Sequence, residues 1–437
     1  MAQAGGKVDK GSHLEVAVIG SGIVGLILGI GLAKRGIRVA VFEQAAGFRE
    51  IGAGVAFTAN AIRCMGLIDG RVVEAVRAVA TPNGDPDSPT DYLQWVDGFH
   101  DNGGLLFRLD CGHRGFEGCH RAHFLEELAK RSDSDLVRFG KRLVSLSEST
   151  ESENVRLIFQ DNTTVAAQAV IGCDGIKSRV RQLLLGADSP AAHPHFSHKV
   201  AFRALVPMDK AERALGKHRA RRQHMHIGPG AHLLHFPVAG QALMNVVAFV
   251  DEPGSWPPEH SQSMVAPATR QEVEAAFADW GPTVRSLVGL LPPELDKWAI
   301  FDTYDHPLPT YARGRVCLAG DAAHASAPHH GAGAGIGIED TLALCTLLEM
   351  TFSRNRGTSS DVNIEHALAV YSSVRRGRSQ WLVKSSREVC DIYEWRHPET
   401  GTDMDKCLAE ITERSHKLWY FNIDEMLTQL QQRYNSC

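Results

Sequence analysis

Three stretches of this 437-residue chain carry the residue types that hold a nucleotide. The first, VAVIGSGIVGLILGIGLA from Val16 to Ala33, has Gly20, Gly22 and Gly25 in the spacing G-x-G-x-x-G, and Glu43 closes the next apolar run, RVAVFE. In that pattern the first glycine permits a tight turn, the second lets backbone N–H groups approach a pyrophosphate, and the third lets helix and strand pack closely. The acid that follows accepts from a ribose hydroxyl, and the helix N-terminus adds partial positive charge. The second stretch, Cys173-Asp174-Gly175, ends an apolar strand pattern (Val165 to Gly172) and leads into a basic helix start. The third runs from Tyr311 to Asp340. It puts Gly320-Asp321 at the end of a strand and Gly331, Gly333, Gly335 and Gly337 at the start of a helix, an arrangement suited to a polyol hydroxyl and a delocalised anion.

These motifs need a strand–turn–helix frame. Val16 to Ala33 is uncharged over about the length of a bilayer span, but its glycines and the strand that restarts after Gly36 point to a buried βαβ unit instead. Gly47, Gly52 and Gly54 form a loop able to lie against a flat ligand, and a helix starts at Asn60. Tyr92 to Trp95 and Leu105 to Leu109 pattern as a hairpin. Arg121 falls on the first turn of an amphipathic helix, which is unfavourable to the helix dipole unless an anion lies nearby. Between Lys199 and Val250, short alternating segments broken at Gly228-Pro229-Gly230 and Ala239-Gly240 predict an inserted antiparallel sheet. Asp251 to His260 reads as a linker, Thr269 to Trp280 as a helix, and Val362 to Cys437 as helical, with Trp419 to Ile423 covering core. A net charge of −5 without a basic block speaks against nucleic acid and anionic membranes. Nine cysteines, odd in number and without metal-ligand spacing or a secretory leader, imply reduced thiols in the cytosol. Met1 to Ser12 is a polar, Gly-rich stretch expected to be disordered.

Together the ordered motifs resemble the three fingerprints of the class A FAD-dependent aromatic hydroxylases, over about Leu14 to about Leu430. HRAHFLEEL (His120 to Leu128), GDAAHASAPHHGAGAG and the C-terminal helices resemble the salicylate-hydroxylase-like branch, which includes fungal monooxygenases that hydroxylate or dearomatise polyketide phenols. The resemblance implies an α/β fold with a Rossmann-like FAD-binding domain in three parts (13–84, 111–195 and 291–360). A substrate domain is formed by a hairpin (85–110) and an inserted antiparallel sheet (196–290), and helices fill 361–437 after a tail at 1–12. It implies that Gly20, Gly22 and Gly25 face the FAD pyrophosphate, that Glu43 binds the adenosine ribose, and that Ala56 and Arg121 contact FAD. Asp174 then serves FAD and NAD(P)H, Asp321 holds the ribitol, and N–H groups near Gly333 and Ala334 face the flavin N1–C2=O edge. FAD is expected to be non-covalent, because no flavin-linking His or Cys motif is apparent. The resemblance also implies NADH or NADPH as a transient co-substrate bound without a Rossmann domain of its own, and the absence of a second G-x-G-x-x-G fits that.

In such enzymes reduced FAD takes up O₂ as a C4a-hydroperoxide, and a phenolate ring attacks its distal oxygen in a site closed to water. Arg203, in AFRALV, matches the arginine that dearomatising relatives set against the phenolate; a surface salt bridge is its plain alternative. Phe236 stands where relatives often carry a Tyr and has no hydroxyl to donate. His226 and His235 are the nearby substitutes, although strand histidines are more often structural. Tyr311 stands where relatives often have Trp. Pro328 matches a proline whose carbonyl lies near the reacting oxygen, and it would equally stiffen a loop. Three functions stay open at this stage: ortho hydroxylation or dearomatisation of a phenol, decarboxylative hydroxylation of a salicylate-like acid, and an FAD-binding oxidase without monooxygenation.

Overall fold

The computed structural model describes residues 14–48, 54–100, 104–111, 117–148, 154–260, 263–354 and 363–436; the expected tail and Gly52 lie outside them. The run from Val16 splits into a strand, Leu14–Ile19, and a helix, Ile23–Lys34. The strand is the centre of a mixed sheet. It pairs in parallel with Val39–Phe42 on one side and Thr164–Gly172 on the other. Val316–Leu318 joins Thr164–Gly172 in parallel, and Val155–Phe159 and Leu143–Glu148 extend the sheet antiparallel. Covered on both faces, the central strand carries almost no polar residue. The helix Ile23–Lys34 is apolar nearly all round, because it is sandwiched between this sheet and the long helix Gly333–Arg354 in one continuous core. No helix among the described residues is long and apolar enough to cross a membrane.

The second sheet has eight strands in the order Val265–Thr269, Glu294–Asp302, His195–Pro207, Leu243–Asp251, Ala231–Val238, His224–Gly228, Tyr92–Asp97 and Leu105–Asp110. The predicted hairpin is its edge. The sheet runs on beyond 290, because Glu294–Asp302 pairs antiparallel with His195–Pro207; that strand's alternation is weak and does not announce itself in the sequence. The stretch read as a linker is partly folded in, with Trp256 buried and a short 3-10 turn at Pro258–His260. The helix expected over Thr269 to Trp280 is shorter, Arg270–Ala276, and starts in a capping box between Thr269 and Glu272.

One face of this sheet packs on helices Met208–Leu215, Arg270–Ala276 and Pro282–Gly289 around Phe202, Leu233, Val246, Val273 and Leu287. The other face turns to the nucleotide-type domain: Ala201, Val247, Phe249 and Ile300 meet Ala327, and Phe236 lies against Gly54 and Gly118 of a small three-stranded sheet. Three C-terminal helices, Ile364–Tyr393, Met404–Trp419 and Ile423–Asn435, brace both domains. Phe421, in the stretch expected to cover core, lies under the Arg378 guanidinium at 3.8 Å.

Candidate active site

The three motifs converge on one groove. Gly20 has φ +99°, and a Cβ there would stand 2.5 Å from the Cys173 carbonyl oxygen and 2.8 Å from Asp174 Cα, so the first and second motifs touch. A Cβ on Gly25 would lie 2.0 Å from the Gly20 oxygen, which is the close approach that closes the turn. Gly22, the N-cap of Ile23–Lys34, is different: its open side meets only the Arg121 guanidinium, at 3.7 Å. Arg121 begins the helix Arg121–Lys130 and has no ion-pair or hydrogen-bond partner among the described residues. An unpaired cation over an open glycine turn at a helix N-terminus is a cradle for an anion.

Glu43 sits just past Val39–Phe42 and is tied down on both oxygens. Oε2 accepts from the Ser21 N–H and hydroxyl, each at 2.9 Å, and Oε1 from the Ala45 N–H at 2.8 Å. Asp174 is spent differently from a free ligand. It accepts from the Ser178 hydroxyl at 2.5 Å and from the Arg179 and Val180 N–H groups at 2.6 and 3.1 Å, so it caps the helix Arg179–Leu185; burial nevertheless raises its pKa.

At the far end of the groove Asp321 opens the short helix Asp321–His324, exposed and without a partner among the described residues. Its Oδ1 stands 4.0 Å from the Cβ position of Gly333, at the start of Gly333–Arg354, where Ala334 and its neighbours present first-turn N–H groups. A network beneath holds this turn in place. Asp340 accepts from the Gly320 N–H at 3.1 Å, contacts His324 Nε2 at 2.5 Å and accepts from Arg375 Nε at 2.9 Å. Arg375 and Arg378 also clamp Glu339. Burial alone would raise the Asp340 carboxyl, but His324 and Arg375 outweigh it and hold the pKa below the usual carboxylate range. A Glu339-Asp340 pair inside an apolar helix was the signal for this network, since buried acids need cations. Ala56, on the strand Gly54–Phe57, lines a crevice with Thr58, Asn60, Gly331 and Gly335.

Arg203 sits on His195–Pro207, opposite Val247, and so on the sheet face that turns to this groove. Its guanidinium lies 5.7 Å over the Trp298 ring. No carboxylate pairs with it among the described residues, its Nε is buried without a partner, and burial lowers its pKa.

The family is reached independently by comparison with known proteins. A family model described as "FAD binding domain" matches residues 13–386. The FAD-dependent monooxygenase pigN of Monascus ruber is 50% identical over 436 residues, 98% of this chain and 98% of that protein. The salicylate hydroxylase asL1 of Sarocladium schorii is 47% identical over 438 residues, 96% of this chain and 91% of that protein. A solved salicylate hydroxylase substrate complex superposes with a TM-score of 0.82 at 33% identity, covering 96% of this chain and 98% of the other. The protein is an FAD-dependent monooxygenase of the salicylate hydroxylase-like class.

FAD fits the groove of this monooxygenase. The open Gly22 turn beside Arg121, the unpartnered Asp321 and the helix start at Gly333 offer, in sequence, groups for a diphosphate, a polyol and an electron-rich ring edge. The residues expected on the substrate side divide by face. Phe236 pairs with Asn245 and shares the Arg203 face, where it packs on Gly54 and Gly118. Pro328 begins a 3-10 turn, Pro328–His330, directly after Ala327 of that same contact. His226 and His235 do not join them. Register puts His235 opposite His224 and His226 opposite Leu233, hence on the helix-covered face of the sheet. There His226 Nε2 meets His235 Nδ1 at 3.2 Å, and His235 Nε2 donates to the Arg219 carbonyl at 3.1 Å. Burial holds His226 well below the ordinary range and His235 at about 4. Tyr311 is likewise internal: its hydroxyl contacts Ser379 at 2.7 Å and accepts from Gln380 at 2.9 Å. Sequence reasoning missed His232, on the Arg203 face, and its neighbours His329 and Glu394.

Proposed function

We propose that this monooxygenase hydroxylates an electron-rich phenolic ring, by ortho hydroxylation or dearomatisation, with NAD(P)H as reductant and O₂ as oxygen donor. Bound FAD, once reduced by NAD(P)H, supplies one atom of O₂ in electrophilic form. Everything else is the work of the chain. A phenolate ring is far more nucleophilic than a phenol, so the protein must hold the substrate oxygen as an anion in a site shielded from water.

The observation that carries this reading is Arg203, a half-buried cation whose Nε is enclosed without a partner and which no carboxylate neutralises among the described residues. Withdrawing an unpaired charge from water is unfavourable, and an anionic ligand offsets that cost. Val247, Phe249 and Trp298 beside it supply an apolar wall for a ring, and Phe236 shapes the floor without donating a hydrogen bond. A substrate carboxylate would satisfy the planar guanidinium fork as well as a phenolate does, which keeps a decarboxylating salicylate-type reaction as the second reading.

The test is Arg203→Ala in FAD-loaded enzyme. It should retain FAD, raise the apparent pKa of bound phenol by about 1–3 units, and cut product formation more than NAD(P)H consumption, the difference emerging as H₂O₂. Arg203→Lys, with charge but no fork, should fall in between. Wild-type coupling and rate in Arg203→Ala would remove Arg203 from the site, and CO₂ release from salicylate separates the two readings. Peroxide without oxygenated product in the wild type would mark an oxidase.

A further inference from the structure

Outside the motifs, the face that carries Arg203 also carries a buried polar chain. His329, the residue after Pro328, has Nδ1 3.2 Å from His232 Nε2. His232 Nδ1 lies 3.0 Å from Glu394 Oε1, at the end of the helix Ile364–Tyr393. Glu394 is fully buried and is gripped on Oε2 by Lys199 and Arg396, both of which also pair with the half-exposed Asp251, at 2.6 and 2.7 Å. The chain adjoins the substrate wall: the Phe249 ring stacks on His232 at 4.5 Å and meets His329 at 4.9 Å, and Phe249 packs in one cluster with Trp298, the ring under Arg203.

The hydrogen bonds determine where the protons sit. Burial would raise the Glu394 carboxyl, but His232 and Lys199 outweigh it and keep the group ionised. Burial keeps His232 neutral in spite of Glu394, and holds His329 well below the ordinary imidazole range, with His232, Lys199, His330 and Arg387 pushing the same way. An ionised Glu394 accepts, so His232 must carry its proton on Nδ1 and offer a lone pair at Nε2. His329 must then donate from Nδ1. Its Nε2 is left as a bare acceptor, with no partner among the described residues.

We propose that His329 is the base that takes the proton from the substrate's phenolic hydroxyl, and that His232 and Glu394 are positioning residues that hold its Nε2 in the accepting tautomer. This rests on the phenol reading above. The O–H bond breaks, its electron pair stays on oxygen as the phenolate opposite Arg203, and an N–H bond forms at His329 Nε2. In the empty site burial and the neighbouring cations hold His329 neutral, so it takes the proton only as the phenolate forms beside it and supplies the counter-charge, with the positive charge shared with His232 against Glu394; Lys199 and Arg396 keep that carboxylate from taking the proton itself. The proton passes to water when the product leaves. His232, His329 and Cys390 also bring three ligand atoms within 4.8 Å of one another. Burial holds the Cys390 thiol well above its usual range, it donates to Glu394 at 3.4 Å, and Lys199 stands beside the cluster, so a metal ion would meet a proton-bearing sulfur and a cation.

The experiment uses FAD-loaded wild type, His329→Ala and His329→Gln with resorcinol and the more acidic 2,4-dihydroxybenzaldehyde, following NAD(P)H-dependent product formation against pH. Gln keeps a donor for His232 and an acceptor for substrate but takes up no proton. Below the pKa of each phenol, kcat/KM should fall about a hundredfold or more in both variants, with KM nearly kept in His329→Gln. Activity should recover toward wild type as pH rises through that pKa, and the loss should be larger for resorcinol. Either variant that retains FAD decides the matter. A wild-type pH profile in it, or a loss equal at every pH, overturns the assignment of His329. A wild type whose NAD(P)H consumption no phenol stimulates overturns the functional reading instead.

Discussion

Glu43 is fixed by the fold in a way that suits the ligand role expected of it. Its carboxylate is already held by the Ser21 and Ala45 backbone N–H groups, so in the ribose-binding role expected of it its rotamer is set and little entropy is lost on binding. Glu43→Ala should remove a charge-assisted hydrogen bond of about 1.5–3 kcal/mol, weakening FAD binding roughly tenfold to a hundredfold. Glu43→Gln keeps an acceptor and should lose less. Flavin fluorescence titration measures both, and an unchanged dissociation constant in Glu43→Ala would take the residue out of the cofactor site. Asp174 is a contrasting case. With three donors already on its oxygens, it acts first as the cap that fixes the helix after the second motif.

At the scale of the element, the strand–turn–helix unit separates folding from binding within five residues. A methyl on Gly25 would collide with the Gly20 carbonyl at 2.0 Å, whereas one on Gly22 meets nothing nearer than Arg121 at 3.7 Å. Gly22→Ala should therefore leave the thermal midpoint of the apoprotein close to wild type while lowering FAD affinity, because the new methyl fills the phosphate cradle. Gly25→Ala should lower the midpoint of the apoprotein itself. Equal effects of the two substitutions on apoprotein stability would contradict this division. The opposite end of the groove depends on other elements in the same way: the Gly320-Asp321 turn is held by Asp340 of the helix Gly333–Arg354, which Arg375 of the helix Ile364–Tyr393 fixes in turn.

For the whole molecule, the buried histidines make stability pH-dependent. His224, His226 and His235 stack on the helix-covered face with Arg219, Arg222 and His218 around them, and burial holds His224 at about 3 and His235 at about 4. Their folded pKa values lie below the unfolded value of about 6.5, so below that pH the unfolded chain binds more protons and stability falls, each such histidine costing about 1.4 kcal/mol per pH unit until its folded pKa is reached. Stability is whole above pH 6.5 and should drop between pH 6.5 and 5, before most carboxylates titrate. Thermal unfolding of the FAD-loaded protein over that window measures the slope. His235→Phe should make it shallower, and an unaltered slope would exclude the stack as its source.

The ordered glycines, Glu43, Asp174 and Gly320-Asp321 were legible in the sequence, because backbone conformation and a strand-end acid are local requirements that only a few residue types meet. The inserted sheet was legible too, as a period of two. Which face each strand residue takes was not. A one-residue change of register exchanges the two faces, and only pairing across the sheet put Arg203 and Phe236 on the groove side while sending His226 and His235 to the helices. The His329–His232–Glu394 chain joins three segments far apart in sequence, and nothing local marks any one of them. The tertiary structure brought them together, since a buried carboxylate must find its donors wherever the fold supplies them.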